Sequence, residues 1–206
     1  MPQSAEPAPY DVVAIGSSAG GVEALHTLVT ALPADLPVAV LIVQHLDPRH
    51  KSVLASLLSR HSRLPVKQAV HDEPIRPATI YIAPPDRHLL VANGRIELSQ
   101  SQLVHFTRPS IDLLFESVAG AYGERVIGVI LTGTGFDGAT GIRAVKRVGG
   151  TTIVQDPAQA AHSGMPHAAH ATGCVDYVLA LDEIGPTIVQ MVATRTTERS
   201  RLIDGQ

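Results

Sequence analysis

Apolar positions along this chain fall into two alternating rhythms. Short unbroken runs, "VVAI" (12–15), "VAVLIV" (38–43), "IYIA" (80–83), "VIGVIL" (126–131), "TTIVQ" (151–155) and "VDYVLA" (175–180), are rich in Val and Ile. They are too short for helices and predict strands covered on both faces. Between them the spacing changes to helical period: Val22, Leu25, Leu28, Val29 and Leu32 share one face, Ile111, Leu114, Phe115 and Val118 a second, and Val53, Leu54, Leu57 and Leu58 a third. Strand, helix, strand in repetition predicts a doubly wound α/β fold, a mainly parallel sheet with helices on both faces. A parallel neighbour needs a crossover, and a helix supplies it. "HLLVANGRIEL" (88–98) breaks this rhythm, because two alternating runs flank Asn93-Gly94, a pair suited to a type I′ turn. A small antiparallel hairpin is expected there.

The apolar share of 45% in 206 residues supports one sizeable domain. Its expected bounds are residues 11–194, between a disordered Pro/Ala-rich tail over 1–10 and a polar C-terminal tail over 195–206. A net charge of -3 without long basic runs argues against nucleic acid as a partner. No apolar run reaches the roughly 20 residues that cross a bilayer, and the N-terminus has no secretory pattern, so a cytoplasmic protein without membrane insertion is expected. The single cysteine, Cys174, fits a reducing compartment and is expected to be a small buried apolar residue.

In open α/β sheets ligands bind outside the carboxyl ends of the strands, so reactive residues just after each strand matter most. Ser18 follows "VVAI", His45 follows "VAVLIVQ", and Asp137 lies in "TGTGFDG" after "VIGVIL". A hydroxyl, an imidazole and a carboxylate on three loops at one sheet edge are the parts of a serine hydrolase triad. Each also has a plainer role. Ser18 can cap a helix or touch a phosphate, His45 can close a turn ahead of Asp47-Pro48, and Asp137 can complement a helix dipole. Gly16-x-Ser18-x-Gly20 fits a nucleophile elbow, whereas "GSSAGG" lacks both the Walker pattern and G-x-G-x-x-G. Gln44 stands where a dinucleotide-binding sheet would carry an acidic group. His162, His167 and His170 lie close in sequence but have no Cys or acidic ligand at metal-binding spacing, so no metal is expected. "RPSID" (108–112) reads as helix initiation with Ser110 as cap, and Pro166 in "SGMPHAA" as the start of a short helix lining the crevice.

"AIGSSAGGVEAL", "LIVQHLDP", "YIAPPDRHLLV", "RPSIDLLF", "GVILTGTGFDGATG" and "GGTTIVQDP...SGMPHAA" resemble, in order, the motifs of the catalytic domain of chemotaxis protein-glutamate methylesterases, the CheB family. The likeness runs from about Val12 to Val192. It implies hydrolysis of γ-glutamyl methyl esters on the cytoplasmic helices of methylated chemoreceptors, with deamidation of glutamine as a second activity, and no cofactor. The family's serine, histidine and aspartate fall on Ser18, His45 and Asp137. The backbone N–H groups of Ala19 and Thr134 would form the oxyanion hole. The family's common "TGMGNDG" is "TGTGFDG" here, and Phe136 beside Asp137 is expected to reshape the substrate mouth. A first strand near residue 11 leads to the expectation of a catalytic domain without the family's receiver domain. Two other readings remain open: the same chemistry on a different protein or small acyl substrate of a related signalling system, and a non-catalytic module binding a phosphate or a partner.

Overall fold

The computed structural model describes residues 10–46 and 52–203. The expected tail over 1–10, apart from Tyr10, and Asp47-Pro48 lie outside them. The elements run β1 (Val12–Ser17), α1 (Gly21–Ala31), β2 (Ala39–Gln44), α2 (Leu54–Ser59), β3 (Val66–Gln68), β4 (Ile80–Ile82), β5 (His88–Ala92), β6 (Arg95–Ser99), α3 (Ile111–Tyr122), β7 (Val126–Ile130), α4 (Ala139–Arg147), β8 (Thr151–Gln155), α5 (Gly164–His170), β9 (Tyr177–Leu179) and α6 (Leu181–Ile203). Seven strands form one parallel sheet in the order β3-β4-β2-β1-β7-β8-β9. The fold is the expected doubly wound α/β class.

Alternate residues of the central strands enter different cores, which is why these strands read as unbroken apolar runs. Val13, Ile15, Val40 and Ile42 pack with Leu25 and Leu28 of α1 and Ile184 and Ile188 of α6. Val12, Ala14, Leu41 and Val43 pack on the other face with Ile111, Leu114 and Phe115 of α3 and Val145 of α4. Each large side chain buried this way contributes about 1.5–3 kcal/mol. The hairpin β5-β6 turns at Asn93 and Gly94, both at positive φ (51° and 70°) as a type I′ turn requires. It lies beside α3, where Ser117 Oγ accepts from the Val91 N–H.

Three expectations change. The edge strand β9 is shorter than its apolar run, and Tyr177 and Val178 are exposed, since nothing pairs beyond it in the sheet. Cys174 is only partly buried. The segment from residue 195, expected as a polar tail, instead continues α6 to Ile203. No Gly or Pro interrupts Thr187 to Ile203. Three further elements lie outside those predicted: β3 is a three-residue edge strand, α4 is a short amphipathic helix that buries Ile142 and Val145, and α6 begins at Leu181. Among the described residues no helix is long and apolar enough to cross a membrane.

Helices α3 and α4 approach closely because Gly141 offers no side chain: a Cβ there would lie 2.5 Å from Phe115 Cβ. Gly141→Ala should therefore destabilise the protein by about 1–3 kcal/mol through overpacking, despite the higher helix propensity of alanine. Urea unfolding measures this, and an unchanged or higher stability would contradict it.

Candidate active site

The order of strands reverses beside β1, with β2 and β4 on one side and β7 to β9 on the other. Such a switch opens a crevice outside the carboxyl ends of the strands. Ser18 leaves β1, the middle of three adjacent strands; His45 leaves β2 and Asp137 lies on the loop after β7.

Ser18 is held by its backbone. Its N–H donates to Thr132 O (3.0 Å), and its carbonyl accepts from Gly21 N (2.8 Å) and from Gln44 Nε2 (2.8 Å). Gly20 then takes a left-handed conformation (φ 75°) as the N-cap of α1. The loop after β7 passes against this elbow: a Cβ on Gly133 would lie 2.8 Å from Ser18 Cβ and 2.2 Å from Met165 Sδ. Met165 on α5 is buried, so the expected short helix at Pro166 does wall the crevice. Thr132 locks the same region, with Oγ1 donating to Ala19 O and accepting from the His162 N–H, while its own N–H donates to the buried Gln155 Oε1.

His45 and Asp137 meet directly, Nε2 to Oδ2 at 3.0 Å, with side chains 15% and 4% exposed. In the serine protease template the carboxylate holds Nδ1; here it holds Nε2, leaving Nδ1 as the ring nitrogen available for proton transfer. Asp137 does complement a helix dipole, but that of α3 rather than of the helix that follows it. Its Oδ2 accepts from the Ile111 N–H (2.8 Å), and its Oδ1 from the Asp112 N–H (3.0 Å) and Ser110 Oγ (3.1 Å). Burial alone would raise this carboxyl, but hydrogen bonds from His45 and from the N–H groups of Ile111 and Asp112 outweigh it and hold its pKa below the ordinary value.

Asp112 returns the contact. Its Oδ1 accepts from Gly138 N (2.9 Å) and Gly141 N (2.7 Å) at the start of α4, and its Oδ2 pairs with His105 Nε2 (3.1 Å). Burial, reinforced by the negative charge of Asp137, raises its pKa. Ser110 is a cap, as expected from the sequence, accepting from the Leu113 N–H at 3.5 Å. The share of Ser110, Ile111 and Asp112 in holding Asp137 carries no local sequence signal, because the partners lie about 25 residues apart.

The N–H groups of Ala19 and Thr134 have no acceptor among the described residues, so both are free to face a developing oxyanion. Ser18 N and Gly21 N are already engaged within the elbow, donating to Thr132 O and Ser18 O. Among the described residues, His105, Asp112 and Asp137 are the group whose ligand atoms lie close enough to share an ion. Three of their four carboxylate oxygens already accept from a backbone N–H or a hydroxyl, and the fourth, Asp112 Oδ2, meets His105 Nε2.

Beside His45 opens a cavity of about 330 Å³, also lined by Leu46, Leu103, Phe106, Thr107 and Pro109. Arg108 and Asp86 in its wall neutralise each other, with Nε and Nη2 donating to Oδ1 at 2.9 and 2.6 Å. At its mouth His105 and Phe106 occupy a tight turn closed by Val104 and Thr107, both at positive φ (49° and 62°). Phe106 is 96% exposed, and Phe136, packed edge-on against His105, and Leu103 are also exposed.

The class of protein is thus a doubly wound α/β domain that places a serine elbow and a buried imidazole–carboxylate pair at one sheet edge. The comparisons then give the family. The family model "CheB methylesterase" matches residues 13–188, and the chain belongs to that family. It is similar, at 44% identity over 87% of its length, to protein-glutamate methylesterase/protein-glutamine glutaminase 2 of Anaeromyxobacter dehalogenans, of which it spans 53%. A putative enzyme of the same name from Leptospira interrogans is 37% identical over 92% of this chain and 99% of its own. The crystal structure of the Thermotoga maritima CheB methylesterase catalytic domain superposes with a TM-score of 0.85 at 36% identity, covering 89% of this chain and 99% of that one.

The lowered pKa of Asp137 sets the sign of one pH effect. A carboxyl whose folded pKa lies below its unfolded value of about 3.9 contributes stability above that value and loses it as pH falls through the folded pKa. Asp137→Asn should flatten the decline in unfolding free energy below about pH 4 relative to the unaltered protein. Urea melts across pH 2–6 test this, and parallel curves would refute it.

Proposed function

We propose that this protein hydrolyses γ-glutamyl methyl esters of a protein substrate, and deamidates glutamine at the same site, through Ser18, His45 and Asp137. The observation that carries the reading is the buried His45–Asp137 pair beside a serine elbow in a chain of this family. Ser18 Oγ attacks the ester carbonyl while His45 Nδ1 takes its proton, and Asp137, ionised because its pKa is lowered, stabilises the imidazolium. The oxyanion faces the Ala19 and Thr134 N–H groups, each worth about 3 kcal/mol in such a role. Collapse expels methoxide, which leaves as methanol with the proton from His45. Water, deprotonated by His45, then cleaves the acyl-enzyme to a γ-carboxylate and restores Ser18. With glutamine the leaving group is ammonia. No step requires a cofactor or a metal.

The relatives' names support a glutamate or glutamine of a protein as the substrate; methylated chemoreceptor cytoplasmic helices, and with them the cytoplasm, are what the family resemblance implies. The exposed Leu103, Phe106 and Phe136 beside the cavity suit a macromolecular substrate, since a small ester would need no apolar surface outside the pocket. Phe136, exposed next to Asp137, favours a second reading in which the same chemistry serves another acyl substrate.

Ser18→Ala should abolish methanol release from a methylated receptor fragment and labelling by a serine-directed phosphonate, whereas Ser17→Ala should still be labelled. Retained release by the Ser18 variant would overturn the assignment. Release from simple esters but not from receptor fragments would favour the second reading. Phe106→Ala should lower kcat/KM for a receptor fragment about tenfold more than for ethyl acetate, a differential of about 1.4 kcal/mol. Equal losses would remove the rim from substrate binding.

A further inference from the structure

Gln44 lies in register with Ser17 across the parallel pair β1-β2, one residue before each strand delivers its reactive side chain. It is 4% exposed and its amide is fully used. Oε1 accepts from Ser17 Oγ at 2.7 Å, while Nε2 donates to Ser18 O and to His45 O, each at 2.8 Å. Two carbonyl acceptors leave the nitrogen no alternative orientation, so the amide cannot flip without opposing oxygen to oxygen. Its two N–H bonds therefore join the peptide carrying the nucleophile to the peptide carrying the base. Among the described residues neither peptide has another link of this kind, and the backbone bond beside it is His45 N to Ser17 O at 3.0 Å. The surroundings are shaped to the amide, since a Cβ on Gly21 would lie 2.0 Å from Gln44 Oε1.

We propose that Gln44 is a positioning residue that sets the separation between the Ser18 elbow and the His45 loop, from which hydroxyl and imidazole reach attack geometry when substrate binds. The proposal rests on the hydrolase reading of Ser18 and His45. Pairing carbonyls that the ladder has left does not require one amide to serve both, since separate donors would satisfy them equally well. An amide whose both hydrogens end on the carbonyls of the nucleophile and the base instead transmits the spacing of the two strands to the two reactive groups. Apolar packing cannot do this, because dispersion contacts have no direction.

The test compares Gln44→Met, which keeps volume and removes all three bonds, and Gln44→Glu, which keeps shape and the acceptor for Ser17 but turns oxygen toward the two carbonyls. Both are assayed for kcat and KM on a methylated receptor fragment, for the rate of Ser18 phosphonylation and for melting temperature. If misplacement by about an ångström is what they cause, kcat and phosphonylation fall together by roughly tenfold to a hundredfold while KM stays within about twofold. A lowered melting temperature with kcat and phosphonylation per folded molecule unchanged in either variant would overturn the proposal and leave Gln44 a structural residue. Should Gln44→Met fail to fold, the Gln44→Glu kinetics decide by the same criterion. Failure of the underlying reading is distinguishable, because the unaltered protein would then release no methanol and resist phosphonylation.

Discussion

The site depends on an exchange of carboxylates between two helices. Asp137, at the entrance to α4, accepts the leading N–H groups of α3, and Asp112, in the first turn of α3, accepts those of α4. Each helix thus meets the unpaired donors of its neighbour with a buried anion, and each anion finds partners that justify its burial. The oxygen of Asp137 that accepts from the Ile111 N–H is also the one that meets His45. Rigidity of the helix pair becomes rigidity of the imidazole. The opposite pKa shifts of the two carboxyls follow from the same arrangement: His45 adds a favourable bond to Asp137, whereas Asp112 sits buried beside another negative charge.

The sheet supplies what the helix pair cannot, a common edge. With β1 between β2 and β7, one residue beyond β1, one beyond β2 and the loop after β7 are enough to gather chemistry from positions far apart in the chain. Two buried glutamines finish that edge, Gln44 on β2 and Gln155 on β8, each answering loop backbone groups that the sheet ladder has ceased to pair. The glycines of the first elbow serve the same end. A side chain on Gly16 would strike Ile111 and one on Gly21 would strike Gln44, so they permit close approach of protein to protein rather than of protein to phosphate.

The surface around the crevice follows a different rule. Within it, every buried side-chain nitrogen or oxygen of the described residues has a partner. Outside it, Phe106 projects from a left-handed turn into solvent, where folding gains nothing from it. Satisfied polarity inside and unsatisfied apolarity outside divide the labour between chemistry and recognition, as expected where a large partner must present one small group.

The sequence by itself determined the parallel sheet, helices α1, α2, α3 and α5 and the hairpin, because strands buried on two faces must be apolar throughout and helices buried on one face must be periodic. It also singled out Ser18, His45 and Asp137 by their positions just after strands. Tertiary structure alone decided which helix Asp137 would complement, which ring nitrogen of His45 it would hold, and that Gln44, legible only as a missing acid, would bridge two reactive loops. Those outcomes rest on hydrogen bonds between residues tens of positions apart, and a one-dimensional pattern carries the period of an element but not the identity of its distant neighbour. The same reason left the surroundings of α4 unread: beside its buried Ile142 and Val145, Gly141 lies against Phe115 and its N–H donates to the carboxylate of Asp112.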